Sequence, residues 1–114
     1  MNLNTRITLL YSRRSRMIRR LVLDVLKPHN PGIVELSTEL SELDGVEGVN
    51  ILTYEIDQKV ENVKIILGGT NINFERVKKK LESLGAAIHS VDEVAAGTRI
   101  VEEVRTPQDS SARL

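Results

Sequence analysis

The sequence predicts an α+β fold in which a four-stranded antiparallel sheet carries two helices on one face. Three observations lead there. Strand-like apolar segments recur at Ile18 to Lys27, Val46 to Asp57, Val60 to Leu67 and Ala87 to Val94. Segments with apolar residues at three- and four-residue spacing follow the first and third of these. Only Gln58-Lys59 separates the second strand from the third, so those two form a hairpin. Strand-helix-strand units cross over right-handedly, and two of them joined by a hairpin close into a βαββαβ sandwich of the ferredoxin-like type.

From Ile18 to Lys27 both alternating faces are apolar. Leu21, Leu23 and Val25 share one face; Val22 and Leu26 share the other with Asp24 between them, as in a central strand covered on both sides. Asn30-Pro31-Gly32 is expected to open a helix, with Asn30 as N-cap and Pro31 at the first position. Ile33, Leu36, Leu40 and Leu43 form its apolar stripe while Glu35, Glu39 and Glu42 face water, and Asp44-Gly45 ends it. In the second strand Val49, Ile51 and Thr53 alternate with Asn50, Leu52 and Tyr54; in the third, Val63, Ile65 and Leu67 share a face. Gly68-Gly69 closes that strand, and Asn71 or Asn73 caps a second helix whose stripe is Phe74, Val77, Leu81 and Leu84. Gly85 stands where a helix end favours a left-handed residue. Lys78, Lys79 and Lys80 read as a solvated helix face, and Arg99 to Val104 as a short fifth edge strand. The expected organisation is a basic extension over 1–16, a folded domain over 17–105 and a flexible tail over 106–114. The extension is expected to be disordered or to reflect a mis-assigned start, with Met17 as the biological one.

At 114 residues the chain is one domain by length, able to bury roughly 60–70% of its unfolded surface without staples. Zero cysteines exclude disulfides and thiolate chemistry and agree with a cytoplasmic location. No apolar run approaches the roughly 20 residues of a membrane span, so no membrane partner is expected. The formal charge of zero hides an asymmetry: residues 1–20 carry six arginines and no acid, leaving the rest with ten bases, sixteen acids and a net −6. An acidic body disfavours nucleic acid and favours cations. The three aromatics, Tyr11, Tyr54 and Phe74, are too few to stack on bases as an RNA-binding sheet does. A basic arm over 1–16 that binds nucleic acid is the minor alternative.

The candidate functional residues are carboxylates in or beside strands, where they are poor formers and costly to bury unpaired. Asp24, flanked by Val22 and Leu26 on the helix-free face, needs a cation, a partner chain or an internal partner such as His89. The last strand runs beside the first, so His89 to Asp92 approach Asp24. Glu55 and Asp57 share a strand face about 6.5–7 Å apart, a spacing that oxygen ligands of Ca²⁺ or Mg²⁺ tolerate; the competing reading is a solvated hairpin end. His29, beside Pro28, reads as structural. It lies where small metal-carrier domains hold soft metals with paired cysteines, which this chain lacks. The same loop lacks the arginine-bearing phosphate cradle of an acylphosphatase, two carboxylates without an aromatic platform make glycoside hydrolysis improbable, and Gly68-Gly69-Thr70-Asn71 has no lysine to complete a phosphate loop.

The stretches IRRLVLDVLKPHNP, LSELDGVEGVNI, YEIDQKVENVKI and IHSVDEVAAG together resemble the archaeal family of domain of unknown function 211, over about Ile18 to Asp109. The resemblance implies a ferredoxin-like fold, ring-shaped homo-oligomers, bound calcium in at least one member and no established enzymatic activity. The acidic positions within matching runs are Asp24, Glu55, Asp57, Asp92 and Glu93. The expectation is therefore a non-enzymatic, self-associating cytoplasmic protein that holds Ca²⁺, or Mg²⁺ in its place, through carboxylates near subunit contacts, as a sensor or buffer. The alternative is a regulatory module that binds a metabolite on its open sheet face, with Gly45, Gly48 and the Pro28 to Gly32 loop lining the site.

Overall fold

A computed structural model describes residues 17–104, and the expectations for the 1–16 extension and the 106–114 tail lie outside the described residues. Strands β1 (Ile18–Pro28), β2 (Val46–Ile56), β3 (Val60–Gly69) and β4 (Ala87–Ala96) form one antiparallel sheet in the order β2-β3-β1-β4. Helix α1 (Ile33–Ser41) connects β1 to β2, and α2 (Phe74–Ser83) connects β3 to β4. The result is the βαββαβ ferredoxin-like sandwich that the periodicity predicts.

The alternation in the strands decides which side chains meet the helices. Leu21, Leu23 and Val25 of β1 and Val63, Ile65 and Leu67 of β3 are at most 1% exposed, and they close on Leu36 and Leu40 of α1 and on Val77 and Leu81 of α2. Burying each such side chain is worth about 1.5–3 kcal/mol. Val22, Asp24 and Leu26 of β1 point to the opposite face, which carries no helix.

Two local expectations are corrected. Helix α1 starts at Ile33 with Gly32 as its N-cap and no side-chain capping bond; Asn30 lies two residues too early for its side chain to reach the first-turn N–H groups. Residues 99–104 form no fifth strand. Gly97, at φ 107°, turns the chain after β4, and the returning segment places Glu102 on the Arg20 guanidinium at 3.0 and 3.2 Å. Asn73, by contrast, caps α2 by accepting a bond from the Arg76 N–H at 3.2 Å, and Gly85 adopts the left-handed φ of 82° that closes the helix. Lys78 and Lys79 are exposed, while Lys80 joins the helices through Glu39 at 2.8 Å.

Candidate functional site

The helix-free face is built by the even-numbered residues of β1 and their register partners. Asp24 lies opposite Lys64 of β3 and Ser90 of β4; Leu26 lies opposite Asn62; Val22 lies opposite Ile66 and Glu93. On β2, Asn50 and Leu52 extend the same face beside Ile66 and Lys64. A register shift between Thr53 and Glu55 makes Tyr54 an extra residue, and its ring lies under the Lys64 ammonium, 5.2 Å from Nζ to the ring centroid. Leu52 is 42% exposed and Tyr54 61%, so this face is only partly polar.

The five predicted carboxylates fall into three places. At the hairpin end, Glu55 and Asp57 line one pocket of about 100 Å³ with Leu26, Val60 and Asn62. The adjacency expected from Glu55-Ile56-Asp57 is present, although β2 ends at Ile56 and Asp57 belongs to the turn. Its Oδ1 accepts the N–H groups of Lys59 and Val60, both at 2.8 Å, and these two bonds, Val60 first, hold the Asp57 carboxyl below the usual carboxylate range. The Asn62 Oδ1 atom is buried and without a hydrogen-bond partner.

At the centre of the face, the Asp24 Oδ1 atom is likewise buried and unpartnered. His89 is not the internal counterpart of Asp24: a register shift leaves it as the extra residue between Ile88 and Ser90. The cation beside Asp24 is Lys64, brought there by the β1–β3 register, which the sequence reading missed. Lys64 is held above the usual lysine range by the Tyr54 hydroxyl first and by the charges of Asp92 and Asp24 after it. Asp92 occupies a second bulge of β4 and accepts a bond from the Ser90 hydroxyl at 2.7 Å. At the far end, Glu93 is committed to Arg20 at 2.9 Å. Among the described residues, no three His, Cys, Asp or Glu side chains converge where they could hold a metal ion.

The glycines sort differently from the metabolite-site expectation. Gly45, at φ 87°, is packed so that a Cβ would sit 2.0 Å from the Asn71 carbonyl oxygen, which makes it a structural residue. Gly48 and Gly68 are cross-strand partners on the open face with nothing within 4 Å of an added Cβ. With Glu47, Val49, Asn50 and Ile66 they line a groove of about 410 Å³. The Pro28 to Gly32 loop lies at the other end of the sheet, where Pro28 pairs with Val60, so it shares no site with Gly48.

The second feature missed from sequence is a buried cation. The alternation that puts Leu21, Leu23 and Val25 inside continues to Lys27, which is 1% exposed; its Nζ donates to the Pro28 carbonyl at 2.7 Å and to Glu61 Oε1 at 3.1 Å. The other Glu61 oxygen lies 2.9 Å from His29 Nδ1. His29 thus has a specific charged partner within the chain.

Residues 19–110 match the model of the family DUF211, described as "Uncharacterized ArCR". An uncharacterised protein of Methanocaldococcus jannaschii, MJ0319, is 54% identical over 92 residues, which is 81% of this chain and 95% of that protein. With most of its length matched in both comparisons, the chain belongs to the DUF211 family.

Proposed function

We propose that the protein is a non-enzymatic cytoplasmic homo-oligomer, ring-shaped as the family resemblance implies, that holds a hard divalent cation at its subunit contacts, Ca²⁺ or, in its place, Mg²⁺. The observation that carries this reading is that Asn62, whose Oδ1 is buried without a hydrogen-bond partner, lines the same pocket as Glu55 and Asp57. An acceptor buried without a donor costs about 1–3 kcal/mol, and a cation offsets that cost. Ca²⁺ takes 6–8 oxygens, whereas one chain brings two carboxylates and one amide to this pocket. Ligands from a second protomer complete such a set, and they couple binding to assembly. Asp24 and Asp92 form a second acidic centre in which Lys64 already supplies positive charge, so the hairpin pocket is the stronger cation site.

Calcium calorimetry on the full chain, run with light scattering in calcium and in chelator, tests this reading. Saturable heats, and a mass that changes or an assembly that tightens with calcium, are expected. Glu55→Gln and Asn62→Leu should each weaken the heats at least tenfold. Unchanged heats in both variants would remove the hairpin pocket from the mechanism.

The Gly48–Gly68 groove favours a second reading, a module that binds a metabolite. Internal packing does not require glycine at either position, and paired glycines leave bare backbone for a ligand to approach closely. Thermal stabilisation by a metabolite that persists in chelator supports this reading over the first.

A further inference from the structure

We propose that His29 is a proton-operated clasp that ties the tip of the β2–β3 hairpin to the loop after β1, closed when the imidazole is protonated and open when it is neutral. The inference goes beyond the cation reading and rests on what the two ring nitrogens face. Nδ1 lies 2.9 Å from a carboxylate oxygen of Glu61, and Nε2 lies 3.1 Å from the Gln58 carbonyl oxygen. Both partners are acceptors with no hydrogen to offer. A neutral imidazole has one N–H and one lone pair, so one of these contacts would set a lone pair against an oxygen. Only the imidazolium donates to both.

The surroundings keep the second proton in place. Glu61 is 14% exposed at its side chain and bridges His29 to the buried Lys27 ammonium, so its charge is committed on both sides. Glu61 from β3 contacts the ring, while Lys27 from β1 and Asp57 beside the turn interact with it through charge alone. The Glu61 carboxylate and then the Gln58 carbonyl hold His29 above its ordinary value of 6.5, while the Lys27 charge opposes them. His29 itself is 40% exposed at its side chain, so solvent can deliver and remove the proton.

The sign of the effect follows. A raised imidazole value means that the clasp is complete from the ordinary carboxylate range, where Glu61 is ionised, up to about pH 6.5 and is lost as pH rises through the raised value. On deprotonation the surviving N–H stays with the carboxylate, the stronger acceptor, and the Gln58 carbonyl is released. The turn residues Gln58 and Lys59 then lose their tether to the loop after β1.

Heteronuclear NMR on the full chain tests the clasp by following the His29 ring and the Gln58 carbonyl carbon from acid to mildly alkaline pH. The expected result is one shared midpoint above 6.5 for both signals. In His29→Gln the Gln58 carbonyl step should vanish, and in Glu61→Gln the His29 midpoint should fall. A Gln58 carbonyl that does not move with His29, or a step that persists in His29→Gln, overturns the proposal. Co-titration in the unmodified protein decides the matter even if a variant fails to fold.

Discussion

Asp57 has two functions to separate. Its Oδ1 pins the hairpin turn through Lys59 and Val60, and it also lines the proposed cation pocket. Asp57→Ala should therefore lower Tm with or without calcium, so a loss of calcium affinity in that variant would not by itself identify a ligand. Asp57→Asn keeps an Oδ1 acceptor and should retain most of the turn at neutral pH. The lowered Asp57 and Glu61 values mean that their contribution is complete above the ordinary carboxylate range and fades as pH falls through the lowered values. Tm measured against pH should thus decline on the acid side, and less steeply in Asp57→Asn. Lys27 adds a comparison at the same scale. Glu61→Ala leaves a buried ammonium without its carboxylate, whereas Lys27→Met keeps the packed stem and removes the charge, so Glu61→Ala should be the less stable variant by thermal melt. Lys27 lies on the inward alternation of β1, but spacing alone does not mark it as buried, because a lysine at a strand end ordinarily faces water.

At the scale of the element, glycines distinguish structural constraint from open surface. An added Cβ at Gly69 would fall 1.8 Å from the Gly45 carbonyl oxygen, and one at Gly45 would strike the Asn71 backbone in a left-handed conformation. Gly45→Ala and Gly69→Ala should each prevent stable folding, because the β2 start, the β3 end and the loop before α2 meet there. Gly48→Ala and Gly68→Ala should stay within about 0.5 kcal/mol of the parent in chemical denaturation, as substitutions in open space do. If the groove holds a ligand, Gly48→Val should keep the fold and lose the ligand-induced thermal shift. Elements were legible where one physical signal dominated, as in the apolar stripe of α2 with its Asn73 cap. The start of α1 was misplaced because Asn30 and Pro31 suit a bend as well as a helix start, and the chain bends through them before the helix begins at Ile33.

For the whole molecule, the two faces of the sheet have different fates. One is covered by α1 and α2 over β1 and β3, although Val91 and Val94 of β4, the partners of Leu23 and Leu21, stay 44% and 53% exposed; the other leaves Leu26 at 36%, Leu52 at 42% and Tyr54 at 61% exposure around a set of charges. If protomers meet on this face, Leu52→Arg should lower the mass seen by light scattering without lowering the helix content seen by circular dichroism. A mass equal to that of the parent would place the contact elsewhere, with the unpaired edges of β2 and β4 next in line.

The sequence by itself determined the order of the elements, the face that becomes the core and the presence of acids on strands, because each depends on spacing within a short stretch of chain. The adjacency of Glu55 and Asp57 was legible in the same way, but the groups that stand beside each acid across the sheet were decided only by the tertiary structure. Antiparallel register set Lys64 across from Asp24, two bulges in β4 displaced His89 and Asp92, and the hairpin folded Asn62 back beside Glu55 and Asp57. A one-residue shift in pairing redirects every side chain after it, and no local pattern in the chain records that shift.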